Sequence, residues 1–163
     1  MVPTAGYHQG KINIPQAMQS LEKLIESMPG MLRRLNDDEL HNRPAPGKWS
    51  KQEIFGHLAD SALNNLKRFT EIQFLPQPYK IISYQQNELV QVNHYHDLPL
   101  DHLIQLWQLL NRQIIYVVNK ISSEKLEFKV DPQYANREMK TLGWVIEDYV
   151  AHMDHHFRQI FPQ

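Results

Sequence analysis

The 163-residue sequence contains no cysteine. That excludes disulfides, thiolate metal ligands and a cysteine nucleophile. There is no excess of positive charge either. Seventeen Lys and Arg stand against 18 Asp and Glu, for a formal net charge of −1, and no basic run occurs. Nothing electrostatic therefore favours nucleic acid or an anionic membrane surface as a partner. No apolar run approaches the ~20 residues of a membrane span. The N-terminal stretch lacks a charged segment followed by an apolar one, so no signal peptide and a cytoplasmic location are expected. Glycine-rich phosphate loops, low-complexity tracts and internal repeats are missing as well. What remains is an ordinary globular composition, 42% hydrophobic and 21% charged, with length enough for one domain over residues 1–163. The one oddity is nine histidines.

Hydrophobic spacing divides the chain into four long helical stretches. Residues 1–13 have no periodicity and read as an extended lead-in. Pro15 suits a first helical position, and Met18, Leu21, Ile25, Met28, Leu32 and Leu35 follow at helical intervals. Pro29 interrupts them and predicts a kink or two helical pieces. Asn36 to Trp49 is a connector with room for one short turn. Ser50 and Glu53 form a capping box that opens a helix through Phe55, Leu58, Ala59, Ala62, Leu66 and Phe69, stopped by Pro76 and Pro78. Asn87 to Val92 has the length of a short helix, with His94 and His96 in a loop. Pro99 opens the most regular stretch: Leu103, Trp107, Leu110, Ile114, Val117 or Val118, and Ile121. In the link from Ser122 to Lys140, Glu127–Val130 alternates like a short strand. Thr141 is a candidate N-cap for the last helix. The fold class is all-α, a four-helix bundle with a kinked first helix and short irregular connections.

The last helix carries the chemistry. With Leu142 as origin and 100° per residue, Leu142, Val145, Ile146, Tyr149, Met153 and Ile160 cluster on one side. His152 and His156 fall in or beside that stripe, one turn apart, while His155 and Asp148 turn toward the polar face. Each nitrogen of a buried imidazole needs a partner, and a divalent metal can serve two rings at once if a third ligand exists. His41, His94, His96 and His102 read as solvated surface residues. His57 lies on a rigid, well-capped helix, but on its polar side with Glu53, Asn64 and Arg68, and with Ser61 nearby. That side is either a solvated face or a polar cleft with His57 at its floor, and helical spacing does not choose between them.

Gly47-Lys48-Trp49-Ser50, Gly56-His57-Leu58-Ala59-Asp60-Ser61 and His152-Met153-Asp154-His155-His156 with Gln159-Ile160 resemble the DinB-like superfamily. The closer likeness is to its YfiT branch, named as metal-dependent hydrolases and including bacillithiol transferases. The likeness runs from Tyr7 and Gly10 to the last turn. It implies a four-helix bundle, usually dimeric, in which His57, His152 and His156 hold one divalent metal and His155 does not. Two departures stand out: Gly56 and Ala62 occupy positions where the family often has histidine.

Three neutral imidazoles leave coordination positions open, as catalytic sites do, and leave the ion its full charge. Such an ion lowers the pKa of a bound water or thiol and makes it a nucleophile. Zinc or nickel suits an all-imidazole site best, with manganese or iron next. Asp60 and Asp148, each one turn from a candidate ligand, could orient an imidazole, although a solvated carboxylate is the ordinary role for Asp148. Arg68 could meet an anionic substrate group or make a helix-surface pair. Tyr84, Tyr95, Trp107 and Trp144 are large enough to line a pocket, with core packing the ordinary role of the tryptophans. The reading is an enzyme, a thiol S-transferase or hydrolase, acting on a small molecule, with a low-molecular-weight thiol as co-substrate in the first case. The competing readings are a non-catalytic module binding metal or a small ligand, and a bundle whose histidines are merely structural.

Overall fold

The computed structural model describes residues 6–133 and 138–162. In chain order the elements are α1 (Ile14–Leu32), α2 (Asp37–His41), α3 (Lys51–Glu71), β1 (Tyr79–Lys80), α4 (Gln86–Val92), α5 (Leu100–Val118), α6 (Ser123–Leu126), β2 (Lys129–Asp131), β3 (Lys140–Thr141) and α7 (Leu142–Ile160). The four long helices form the bundle. α3 packs on α5 and α7, and α1 packs on the same two, so α1 lies diagonally opposite α3. The apolar stripes read from spacing meet at the centre. Leu21, Met28, Leu32, Phe55, Phe69, Leu103, Trp107, Ile114 and Leu142 have no exposed surface, each contributing roughly 1.5–3 kcal/mol. Of the two valines left open in α5, Val118 is the buried one.

Pro29 does not divide α1, which continues to Leu32 as one helix. A proline at 29 has no N–H for the carbonyl of Ile25, four residues back. Gln108 of α5 supplies the missing donor: its Nε2 reaches that oxygen at 3.1 Å. A neighbouring helix thus satisfies the interrupted backbone.

The connectors hold more structure than spacing predicts. Asn36 and Glu39 form a capping box on α2, and Ser122 Oγ accepts from the Lys125 amide to open α6. The strand expected at Glu127–Val130 sits at Lys129–Asp131, and it joins a three-stranded sheet that spacing does not suggest. β1 runs parallel to β2, with Tyr79 opposite Val130, and β3 runs antiparallel to it, with Lys140 opposite Val130. These strands of two or three residues are too short for periodicity to detect. Residues 134–137 of the expected link and 1–5 of the expected lead-in lie outside the described residues. Thr141 caps α7 as its type suggests, accepting from the Trp144 amide at 3.2 Å.

Candidate metal centre

α3 buries two faces. Phe55, Leu58 and Ala62 fill the core, and on the other side Gln52, Glu53, His57, Asp60, Ser61 and Asn65 are buried too. The face shared by Glu53 and His57 is therefore a buried polar seam, with Glu53 against Arg43 and Ser50 and with His57 and Ser61 against α7, and the solvated-face alternative is overturned. His57 is 0% exposed, and His152 and His156 are 9% exposed each.

The three imidazoles converge. One ring nitrogen from each of His57, His152 and His156 lies within 4.8 Å of the other two. His57 Nε2 is 3.3 Å from His152 Nε2. Two nitrogens bound about 2.05 Å from a tetrahedral ion stand about 3.3 Å apart, so this pair is already at coordination spacing. The ring centroids of His57 and His156 are 4.9 Å apart, those of His152 and His156 4.5 Å.

Outer partners fix how the rings face. His156 Nδ1 is 2.7 Å from Gln159 Oε1. The amide group of Gln159 donates in turn to His155 Nε2 at 3.1 Å. That assignment puts the hydrogen of His156 on Nδ1 and turns its Nε2 lone pair inward. His152 Nδ1 lies 3.4 Å from Ser61 Oγ, which leaves its Nε2 facing His57. His57 Nδ1 is buried without a partner. Burial drives all three rings toward the neutral form. His57 falls to about 3, with His156 nearby adding to the effect. His156 falls to about 4, against the opposing pull of its Gln159 bond. His152 is lowered well below the ordinary range by burial and by the two neighbouring histidines. Three neutral lone-pair donors, with no carboxylate or thiolate among them, form a site able to hold one divalent ion.

His152 and His156 line an open cleft of about 980 Å³, with Tyr7, Trp49, Arg68, Tyr84 and Trp144 among its other walls, and His57 is fully buried beside them. Trp49 also stacks on His57 at 5.1 Å between ring centroids. Arg68 donates to the Ile82 carbonyl at 3.0 Å and to Asn65 Oδ1 at 3.4 Å, and lies 5.7 Å from the Tyr84 ring centroid. Of the aromatic candidates, Tyr84 and Trp144 reach the cleft, whereas Trp107 is core. Tyr95 is buried elsewhere, its hydroxyl donating to Asp60 Oδ1 at 2.6 Å. Asp60 accepts from Asn93 as well, at 3.1 Å, and its other oxygen is buried without a partner. Its carboxyl is raised by burial, against these two bonds.

Asp148 is not a solvated carboxylate. Its Oδ1 accepts the backbone N–H groups of Tyr7 and, at 2.8 Å, of His8, and burial raises its pKa. His155 is exposed and outside the cluster. His94 and His102 are exposed as expected. His41 and His96 are half-buried instead, their rings 5.0 Å apart; none of the four joins the cluster. The two departures from the family pattern have packing reasons. A Cβ at Gly56 would stand 2.2 Å from Tyr95 Cγ, and Ala62 is fully buried.

Spacing alone could have flagged Gln159 and Ser61, which lie three and four residues beyond His156 and His57 on their own helices. Tyr7 has no such local signal.

A family model described as the DinB superfamily matches residues 20–160. A protein of Oceanobacillus iheyensis described as a "putative metal-dependent hydrolase" is 20% identical over 158 residues, covering 88% of this chain and 90% of its own. Among solved structures, YfiT from Bacillus subtilis, described as a probable metal-dependent hydrolase with an unusual four-helix bundle topology, aligns with a TM-score of 0.81. The identity is 20%, over 94% of this chain and 86% of that one. A mycothiol-dependent maleylpyruvate isomerase aligns with a TM-score of 0.64 at 12% identity, over 89% of this chain but 60% of its own.

Proposed function

The chain belongs to the DinB superfamily, and from that premise we propose that it is a metal-dependent enzyme acting on a small molecule, with His57, His152 and His156 as the ligands of one divalent ion. The observation that carries this reading is the convergence of three buried, neutral imidazoles, two of which, His152 and His156, line an open cleft. An ion held there keeps its full charge and supplies a Lewis-acidic position that activates a bound water or thiol. Zinc or nickel suits the donor set.

The chain's own residues do the rest. Gln159 and Ser61 keep the rings of His156 and His152 turned inward. Trp49 covers one side of His57. Arg68 and Tyr84 sit along the cleft where a substrate would lie. A thiol S-transferase using a low-molecular-weight thiol is preferred to a hydrolase, with two supports. The chain has no cysteine of its own, and one fold relative is described as mycothiol-dependent.

Elemental analysis of untagged protein tests the ligand set: one ion per chain, lost in His57→Ala. Conjugation of an electrophilic probe to a panel of thiols, with and without added zinc or nickel, tests the activity. Full metal loading with no turnover on any probe favours a second reading, a binding module. That reading draws support from Asp60 and Asp148, each one turn from a cluster histidine along its helix and both already engaged by neighbours. A homodimer is part of the proposal. Leu106, Leu109 and Tyr116 are exposed at spacing that shares one side of α5, and light scattering checks it.

A further inference from the structure

The described part of the lead-in, residues 6–13, lies against α7 and brings Tyr7 to the cleft. It is anchored at three points on α7. Asp148 Oδ1 takes the Tyr7 and His8 amides, Glu147 Oε1 takes the Asn13 amide, and Glu147 Oε2 lies 3.4 Å from His8 Nδ1. Gly6 makes the approach possible. Its φ is +82°, and a Cβ there would stand 2.3 Å from the Trp144 ring and 2.8 Å from Asp148 Oδ1. The result is specific for one side chain. The Tyr7 ring meets His152 edge-on at 5.0 Å and His155 at 5.2 Å, and Tyr7 lines the cleft.

Asp148 sits one turn before His152 on the same helix face. A carboxylate accepting two adjacent backbone N–H groups fixes the peptide between them in position and orientation. With the Tyr7 backbone held there, its ring lies against the His152 imidazole. Nothing else in the described chain covers that side of His152 with a ring from outside the bundle.

We infer that Tyr7 forms the wall of the substrate cleft above His152 and shields the bound ion from solvent, and that Asp148 is the positioning residue that holds it there. This rests on the metal reading above, and it adds the lead-in to the working parts of the site.

The test uses the full chain loaded with zinc and chased with the chelating dye 4-(2-pyridylazo)resorcinol. Zinc release speeds up at least tenfold in Asp148→Ala, Gly6→Ala and Tyr7→Ala, while each still takes up one zinc per chain. Tyr7→Phe, which keeps the ring, and Asp148→Asn, which keeps an acceptor oxygen, stay within about threefold of the parent. Hydrogen exchange supplies a readout independent of the metal. The Tyr7 and His8 amides are protected in the parent and exchange freely in Asp148→Ala and Gly6→Ala. Gly6→Ala keeps the Asp148 carboxylate and every other residue of α7, so it serves if Asp148→Ala does not fold. Unprotected amides in the parent overturn the inference, as do release rates unchanged by Tyr7→Ala and Gly6→Ala. A chain that takes up neither zinc nor nickel defeats the metal reading, and the amide measurement then decides on its own whether Asp148 holds Tyr7 in place.

Discussion

α3 carries two buried polar clusters within two turns of each other, and they are finished to different degrees. At its start, Ser50 and Glu53 cap each other. Arg43 holds the Glu53 carboxylate through two bonds at 2.8 and 2.5 Å. Gln52 Nε2 donates toward the carbonyls of Tyr95, His96 and Leu98, at 2.8, 3.1 and 2.8 Å. Burial alone would raise the Glu53 carboxyl, but the bonds from Arg43 and Ser50 outweigh it and hold it at about 2. One turn on, His57 faces two more imidazoles, its Nδ1 has no partner, and burial pushes it to about 3. The first cluster is satisfied by the chain itself. The second concentrates three imidazole lone pairs and leaves a ring nitrogen of His57 unpaired. Buried polar groups that the chain leaves incomplete mark where something from outside is meant to sit.

That contrast breaks or sharpens under substitution. The largest effect is on ion binding. His57→Ala lowers affinity for zinc or nickel on the order of a hundredfold or more, with helicity retained, as read by elemental analysis and circular dichroism. An equal loss in Glu53→Ala would erase the distinction between the clusters. Glu53→Ala instead lowers unfolding stability by about 2 kcal/mol through the lost cap and the stranded partners, measured by urea unfolding, and leaves one ion per chain.

The two clusters also separate in pH. Metal-free protein binds fewer protons at its histidines than the unfolded chain does, because the folded values are depressed. Stability from this source is complete above about 6.5 and falls as pH drops toward 4 and 3, costing several degrees of melting temperature by about pH 5. Glu53 follows the same sign in a lower window, keeping its contribution above about 4.5 and losing it as pH falls through about 2. Thermal scans of the metal-free chain from pH 8 to 3 resolve the upper window, and His57→Ala narrows it. The smallest effect lies outside both clusters. Gln108→Leu strands the Ile25 carbonyl beside Pro29 and costs about 1 kcal/mol, with no change in ion binding.

The histidines of α7 were legible because His152 and His156 interrupt an apolar stripe at helical spacing. His57 was not legible from spacing alone. A helical wheel gives a residue's angle, not what lies opposite, and on α3 the opposite wall is α7, about 90 residues downstream. Only likeness to a family joined the three. The role of Asp148 was hidden for the same reason in stronger form, since its partners lie about 140 residues away in a segment with no periodicity. Pro29 shows a local rule overridden: the predicted break vanishes because α5 lends a donor. α6 was missed as an element and α2 was read only as room for one short turn, because four or five residues give no repeat to read, though their capping residues stand in plain sight.

The small sheet has a consequence for how the cleft admits its guest. β1 and β2 tie the segment leading to Tyr84 to the one ending at Pro132, and both segments reach the cleft rim. A ladder this short parts at little expense compared with melting four long helices. The doorway can therefore breathe while the frame stays shut, and the speed of entry can be tuned at these few residues without weakening the bundle behind them.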